Sequence, residues 1–218
     1  DIMRTPDRET ALLKDFEEKL SRMTRMTANE NVTSLSGVPS WMLILLNKIL
    51  QETGAPNIST IWPNLEVFFH GGVAFTPYRQ QFKELIPSSK MNYMETYNAS
   101  EGFFGIEDLH HDGELLLMLD YGIYYEFAPS SEWDKKFPKT LSLDEVELNT
   151  NYALIISTNA GLWRYKIGDT VQFLSKYPFR IKVSGRTKHF MNAFGEEVII
   201  DNAELALEHA CNLTSSSI

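Results

Sequence analysis

Three stretches of the chain combine small, acidic and basic residues in patterns that could hold a phosphorylated nucleotide. The first is Tyr97-Asn98-Ala99-Ser100-Glu101-Gly102, at the end of a predicted strand. Small residues let a ligand approach the backbone closely, and Tyr97 could stack on a planar base. Glu101 offers a carboxylate suited to Mg2+ beside phosphates. The ends of parallel strands are where α/β sheets bind ligands, although the same residues also read as a plain strand-to-turn junction. The second is Trp163-Arg164-Tyr165-Lys166-Ile167-Gly168-Asp169, where Asp169 follows a glycine at a predicted strand end. There it could accept two hydrogen bonds from a ribose diol, or simply be a turn aspartate. The third runs from Ser184 to Val198 and opens on a Gly185-Arg186 turn followed by Lys188 and His189. It could present a cation to a polyphosphate, or be a solvated basic turn.

Other candidates carry less chemistry. His110-His111-Asp112 lacks metal-ligand spacing and reads as a solvated turn. Ser88-Ser89-Lys90 reads as a loop, and no Ser, His or Cys arrangement forms a nucleophile elbow. The single cysteine, Cys211, excludes a disulfide framework and any multi-cysteine metal site, and reads as packing. Asn-X-Ser/Thr triplets at Asn31, Asn57, Asn98 and Asn212 read as chance.

The chain has 218 residues, 43% of them hydrophobic and 22% charged, enough for a sizeable core and far from a disordered composition. Its 29 acidic against 20 basic residues argue against a nucleic-acid binder, whose affinity comes mostly from phosphate neutralisation. The longest apolar run, Trp41 to Leu46, is far short of a membrane span and reads as core. A soluble, cytoplasmic protein is expected.

The first 54 residues read as helical, with Leu12, Leu13, Phe16, Leu20 and Met23 forming one apolar stripe. A second helix is predicted from Pro39 to Thr53-Gly54. Leu65 to Phe69 reads as a buried strand closed by His70-Gly71-Gly72, Thr76-Pro77 starts a short helix to Ile86, and Met91 to Tyr97 is the next strand. That strand–helix–strand unit suggests parallel pairing. From Phe103 onward the pattern is mostly β: 103–106, 115–119, 123–127, 152–158, 162–165, 171–174 and 179–183. Turns are predicted at Asp112-Gly113 and Asn159-Ala160-Gly161. Residues 201–210 read as helix again. The expected class is mixed α/β, with an open mixed sheet flanked by helices.

In order, the chain presents His-Gly-Gly, Tyr-Asn-Ala-Ser-Glu-Gly, Arg-Tyr-Lys-Ile-Gly-Asp and Gly-Arg-Thr-Lys. That order resembles the adenylate-forming, luciferase-like superfamily of acyl-CoA synthetases and adenylation domains. Within it, the wording of 97–101, 161–169 and 185–197 resembles the Gretchen Hagen family of acyl-acid amido synthetases. This is the auxin-responsive family of plants, with bacterial relatives, and a bacterial-type member is expected. Tyr125-Glu126-Phe127-Ala128-Pro129 also looks like a family feature. The resemblance runs from about residue 29 to 210.

The resemblance implies a ligase that forms carbon–nitrogen bonds in two steps. A carboxylic acid is adenylated by Mg·ATP with release of pyrophosphate, and an amino acid then takes the acyl group and releases AMP. By the same resemblance Tyr97, Ala99 and Ser100 line the adenine and α-phosphate region, and Glu101 contacts Mg2+ or the phosphates. Asp169 holds the ribose, with Arg186 beside it. Gly71, Gly72 and Val73 border the adenine and acyl pocket, where Phe68, Phe69, Val73 and Phe75 hint at an apolar acid. Lys188, with His189, matches a hinge. Residues 1–187 would be part of the large adenylation domain and 188–218 the hinge and start of a small C-terminal domain. The phosphate loop that precedes these motifs in the superfamily is missing, as is most of the C-terminal lid. The chain therefore reads as the middle of a larger enzyme and is expected to be catalytically deficient by itself. An acyl-CoA ligase and a non-catalytic nucleotide-binding remnant are the alternative readings.

Overall fold

Pro39 and Gly54 bracket the longest helix, as the asymmetry of helix ends dictates. Proline sits in the first turn where no backbone donor is needed, and Gly54 closes the helix in the left-handed region at φ 69°. The computed structural model describes residues 4–109, 113–187, 191–193, 196–198, 206 and 210. The chain divides into two units, 1–94 and 95–218.

The first unit contains α1 (Arg8–Ala11), α2 (Phe16–Thr27), β1 (Ser34–Gly37), α3 (Pro39–Thr53), α4 (Ile58–Ile61), β2 (Val67–His70) and α5 (Arg79–Leu85). Asp7, Asp15 and Asn57 cap the amino ends of α1, α2 and α4 through side-chain oxygens. The uniformly helical reading of residues 1–54 is corrected here. The cap at Asp15 starts a new helix, so the proposed stripe is split, and Leu12 stands 68% exposed while Leu20 is buried. Ser34–Gly37 is a strand, paired in parallel with β2 from Ser34↔Val67 to Gly37↔His70. Short polar strands carry no period for the sequence to reveal. The 41–46 run is also two-faced: Leu43, Leu45 and Leu46 are buried, whereas Trp41 and Ile44 face out. Leu46, Ile49, Ile58, Trp62, Phe68 and Phe82 form the centre of this core. The Trp62 indole donates to the Thr27 carbonyl at 3.0 Å, tying the end of α4 to the end of α2.

β3 (Asn92–Ala99) leads into the second unit, which contains β4 (Gly102–Ile106), β5 (Leu115–Leu117), β6 (Ile123–Pro129), β7 (Asn151–Thr158), β8 (Tyr165–Lys176) and β9 (Phe179–Arg186). Their order in the sheet is β3-β4-β5-β9-β8-β7-β6, and every pairing within this stretch is antiparallel. β10 (Met191–Ala193) and β11 (Glu196–Val198) form a separate antiparallel pair.

This second sheet is rolled. Neighbouring strands lie about 4.8 Å apart, so a flat sheet would set β4 and β6, five positions apart, roughly 24 Å from each other. Instead the rings of Phe104 and Tyr125 lie 6.4 Å apart. A Cβ added to Gly102 would come within 2.8 Å of Ile123 Cδ1. The sheet curls into an open barrel around Phe104, Leu115, Phe127, Leu154, Val171, Phe173 and Ile181.

Two strand boundaries differ from expectation. β8 is one strand of 12 residues where two short strands were expected. The hairpin after β7 is longer than the predicted three residues, because 162–164 pair only through Leu162 with Thr158 before Arg164 turns at φ 47°. The expected helix over 201–210 falls almost entirely outside the described residues.

Candidate functional site

The Tyr-X-Ala-Ser-Glu stretch runs into a tight antiparallel turn. Ala99 pairs with Gly102, so Ser100 and Glu101 are the two-residue loop of the antiparallel β3–β4 hairpin. The register jumps between Tyr97↔Gly105 and Asn98↔Phe103, leaving Phe104 as the extra residue of a bulge. Tyr97 is 8% exposed, and its ring lies 5.0 Å from that of Phe104. The ring is thus a core element, and the expected open stacking face is corrected. What Tyr97 presents is its hydroxyl, which donates to Asp169 Oδ2 at 2.9 Å. Burial first, and the neighbouring carboxylate second, push that hydroxyl well above its ordinary pKa.

Asp169 is likewise not at a strand end but inside β8. Between Lys166↔Ile155 and Thr170↔Ala153, three residues of β8 (Ile167, Gly168 and Asp169) stand opposite the single Leu154. Gly168 makes this bulge possible at φ 92°, a backbone conformation that other residues adopt at a cost. Gly185-Arg186 is no turn either: Arg186 ends β9 directly opposite Asp169. Its Nε forms an ion pair with Asp169 Oδ1 at 3.0 Å, and its Nη2 donates to the Ile167 carbonyl at 3.2 Å. Thr187 closes the corner through its backbone N–H to the Gly168 carbonyl at 2.8 Å. Asp169, with its side chain 16% exposed, therefore faces a phenol and a guanidinium, one on each oxygen. Each oxygen keeps a second lone pair for a ligand hydroxyl.

The sequence reading missed two features. The Glu101 carboxylate pushes the Tyr165 phenol above its ordinary pKa. Arg164, in the left-handed region, donates from Nε to both Glu126 oxygens at 3.1 Å, and from Nη2 to the Pro138 carbonyl at 3.3 Å and Thr140 Oγ1 at 3.2 Å. Its neighbour Trp163 is turned outward, 81% exposed.

Gly71 and Gly72 follow β2 in the first unit. Gly72 lies at φ 84°, and a Cβ there would meet Val38 Cγ2 at 3.5 Å. Phe68 and Phe75 are buried in that unit's own core, while Val73 is exposed. Lys188, His189 and His110-His111-Asp112 lie outside the described residues, as does Cys211. Among the described residues no group of three or more His, Cys, Asp or Glu side chains could hold a metal. A cation at Glu101 would thus share one carboxylate with phosphate oxygens and water, a donor set that suits Mg2+. No helix among the described residues is long and apolar enough to cross a membrane.

Comparison with known proteins places these features. Residues 1–91 match the GH3 family N-terminal domain and residues 116–186 the GH3 family central domain. The chain is 31% identical over 127 residues to indole-3-acetic acid-amido synthetase GH3.3 of Arabidopsis thaliana, covering 55% of this chain and 21% of that protein. It is 34% identical over 80 residues to jasmonoyl–L-amino acid synthetase JAR4 of Nicotiana attenuata, covering 35% of this chain and 14% of that protein. The chain thus spans about a fifth of the length of the curated relatives it matches. In fold it is similar to GH3.15 acyl acid amido synthetase, with TM-score 0.75 and 15% identity over 98% of this chain and 48% of that one. A 2-hydroxyisobutyryl-CoA ligase shares the fold at TM-score 0.62 and 14% identity, over 88% of this chain and 44% of the ligase. The fold is that of the adenylate-forming enzymes, and with two successive domains of one family matched along its length, the chain belongs to the GH3 family.

Proposed function

We propose that this chain is part of an ATP-dependent ligase that adenylates a carboxylic acid and transfers the acyl group to an amino acid. The observation that supports this best is the joint of the two motifs: the Tyr97 hydroxyl on one oxygen of Asp169 and the Arg186 guanidinium on the other. A carboxylate clamped in this way cannot rotate away, so it is oriented before a ribose diol arrives.

In the first step a carboxylate oxygen of the acid forms a bond to the α-phosphorus of ATP, and the bond to the bridging oxygen breaks with release of pyrophosphate. In the second the amine forms a bond to the acyl carbon, the bond to the adenylate oxygen breaks, and the amine loses a proton as AMP leaves. This chain's share is positioning and charge. Asp169 accepts the ribose hydroxyls. Ala99 and Ser100, small residues at the hairpin tip, let the α-phosphate approach the backbone. Glu101 would hold the cation, whose chemistry when bound is to neutralise the phosphate oxygens. Arg186, half exposed, holds Asp169 and faces the phosphates. The roles of Gly71 and Gly72 at the adenine and acyl border, and of Lys188 at a hinge, rest on family resemblance. An acid and an amino acid as co-substrates accord with the relatives, an indole-3-acetic acid-amido synthetase and a jasmonoyl–L-amino acid synthetase. A cytoplasmic location is proposed on the same footing.

The test is acid-dependent exchange of labelled pyrophosphate into ATP, followed by amino-acid-dependent release of AMP, with Glu101→Gln and Asp169→Asn as controls. AMP release that requires CoA and ignores amino acids would overturn the amide-forming reading.

A further inference from the structure

In a chain with 29 acidic residues against 20 basic, one exposed surface of the second unit has the opposite character. The segment 130–140, which follows β6, carries exposed Lys135, Lys136 and Lys139 around Phe137. Two cations from the start of β8 are bound to it. Arg164 donates from Nη2 to the Pro138 carbonyl at 3.3 Å, and the Lys166 ammonium donates to the Trp133 carbonyl at 3.4 Å and to the Lys135 carbonyl. Five of the chain's 20 basic residues thus gather in one place. Phe137 and Trp163, next in sequence to the bonded Pro138 and Arg164, flank the contact and stand 78% and 81% exposed.

The nearby acids do not cancel this charge at the surface. Glu126 and Glu132 lie beneath, with side chains 14% and 10% exposed, and hold Arg164 and Lys135. Asp134 is the exposed acid of the segment. The segment is also fixed from within. The Trp133 indole donates to the Ala128 carbonyl at 3.0 Å, and Glu132 accepts from the Lys139 backbone N–H at 2.9 Å. A preset surface spares a partner the entropy of ordering it.

We propose that this surface docks a short acidic peptide segment of a partner protein, its carboxylates on Lys136, Lys139 and Lys166 and an apolar side chain against Phe137 or Trp163. The Lys166 ammonium uses two of its three N–H donors on the carbonyls and keeps one for a ligand. Charge complementarity selects the peptide. Screening confines the attraction to about 8 Å at physiological ionic strength, so a short segment feels the lysines and little of the acidic remainder. A nucleic acid, with a charge every ~1.7 Å, would run past the patch into a surface of its own sign. An anionic bilayer would face the net charge of −9 over a still wider area. Exposed aromatic rings beside exposed cations are anchors of the kind on which protein interfaces concentrate their energy.

The experiment is fluorescence anisotropy of a fluorescein-labelled peptide of repeating Glu-Glu-Leu, titrated with this 218-residue chain. Analogues replace every glutamate by glutamine or by lysine, and labelled oligothymidylate and phosphatidylserine vesicles serve as the other polyanions. The acidic peptide should bind, both analogues should bind at least about tenfold more weakly, and added salt should weaken binding. The double variant Lys136→Glu, Lys139→Glu should lower affinity roughly tenfold, and Trp163→Ala roughly three- to tenfold. Lys83→Glu with Lys90→Glu, exposed in the first unit, makes the same change in net charge and should leave affinity within about twofold. The two patch variants are independent, so either one decides if urea unfolding shows the other misfolded. No binding of the acidic peptide, equal binding of the glutamine analogue, or an equal loss in the Lys83 and Lys90 variant overturns the proposal. Tighter binding of oligothymidylate or of the vesicles, lost in the same patch variants, assigns the surface to another class of partner and overturns it too.

Discussion

Tyr97 and Asp169 are 72 residues apart in sequence and four strands apart in the sheet order, yet hydroxyl and carboxylate meet at 2.9 Å. Four strand spacings in a flat sheet would be about 19 Å, far beyond the reach of a tyrosine. The contact exists because the sheet rolls, and it joins the β3–β4 hairpin to the bulge of β8. One bond thus couples the architecture of the second unit to the geometry of the candidate site.

Tyr97→Phe removes this bond from a largely buried carboxylate. The expected loss is about 1.5–3 kcal/mol in stability, with an unchanged denaturant slope. Urea unfolding followed by tryptophan fluorescence measures it. A loss under about 0.5 kcal/mol would show that the contact is not a stabilising one.

Tyr93→Phe should act in the opposite direction. The Tyr93 hydroxyl is buried and finds no hydrogen-bond partner among the described residues. Removing it should leave the first unit as stable or up to about 1 kcal/mol more stable. Burial, opposed by the nearby Arg79 charge, pushes its pKa from 10.0 up to about 12. The unfolded tyrosine ionises first as pH rises, so stability is unaffected by this group below about pH 10 and falls between about 10 and 12. Tyr97 and Tyr125 are raised too, chiefly by burial. Urea midpoints across that alkaline range should fall for the unsubstituted chain and fall less steeply for Tyr93→Phe.

Arg164 separates backbone strain from side-chain contact. Arg164→Ala keeps the left-handed backbone at φ 47° and strips Glu126 of its guanidinium. Arg164→Gly strips Glu126 equally but relieves the backbone. Allowing for solvent screening at the half-exposed guanidinium, the alanine variant should lose about 2 kcal/mol and the glycine variant about 1 kcal/mol less. Equal losses would mean that the backbone at 164 is not strained.

Asp108 and Arg180 form a bidentate pair at 2.6 and 3.2 Å that ties β9 to the residues after β4. The Arg180 hydrogen bond, ahead of its charge, holds the Asp108 carboxyl below the ordinary range of an aspartate. A carboxyl lowered on folding adds stability that is present above the unfolded pKa and is lost as pH falls through the lower folded one. Asp108→Asn leaves Arg180, only 7% exposed, facing a neutral amide. Discounted for the partial exposure of Asp108, the loss near neutral pH should be about 1 kcal/mol. Below about pH 4 the variant and unsubstituted curves should converge.

The sequence made the helices legible where caps and breakers mark them, as at Pro39 and Gly54. It also brought Glu101, Asp169 and Arg186 forward as candidate site residues, because glycine, carboxylate and guanidinium occur there in a recognisable order. It did not reveal that Gly168-Asp169 lies inside a continuous strand. Glycine before aspartate signals a turn, and only pairing on both sides shows it to be a bulge. Nor did it reveal β1, whose Ser-Leu-Ser-Gly has no alternation to read. Pairing of tyrosine with the distant carboxylate is a property of the rolled sheet, which local pattern does not encode.

The roll of the second sheet also sets an order of events during folding. β3 can pair with β4 early, since a two-residue loop joins them, and β8 can pair with β9 across a short connection. The seam between Tyr97 and Asp169 closes a segment of 72 residues, so its entropic penalty is met only after the strands between are in place. Nascent hairpins would hold Glu101 and Asp169 separately, and Asp169 lacks the Tyr97 hydroxyl until the seam shuts. Nucleotide affinity should therefore arise with the last kinetic phase of refolding, and its appearance in an earlier phase would refute this order.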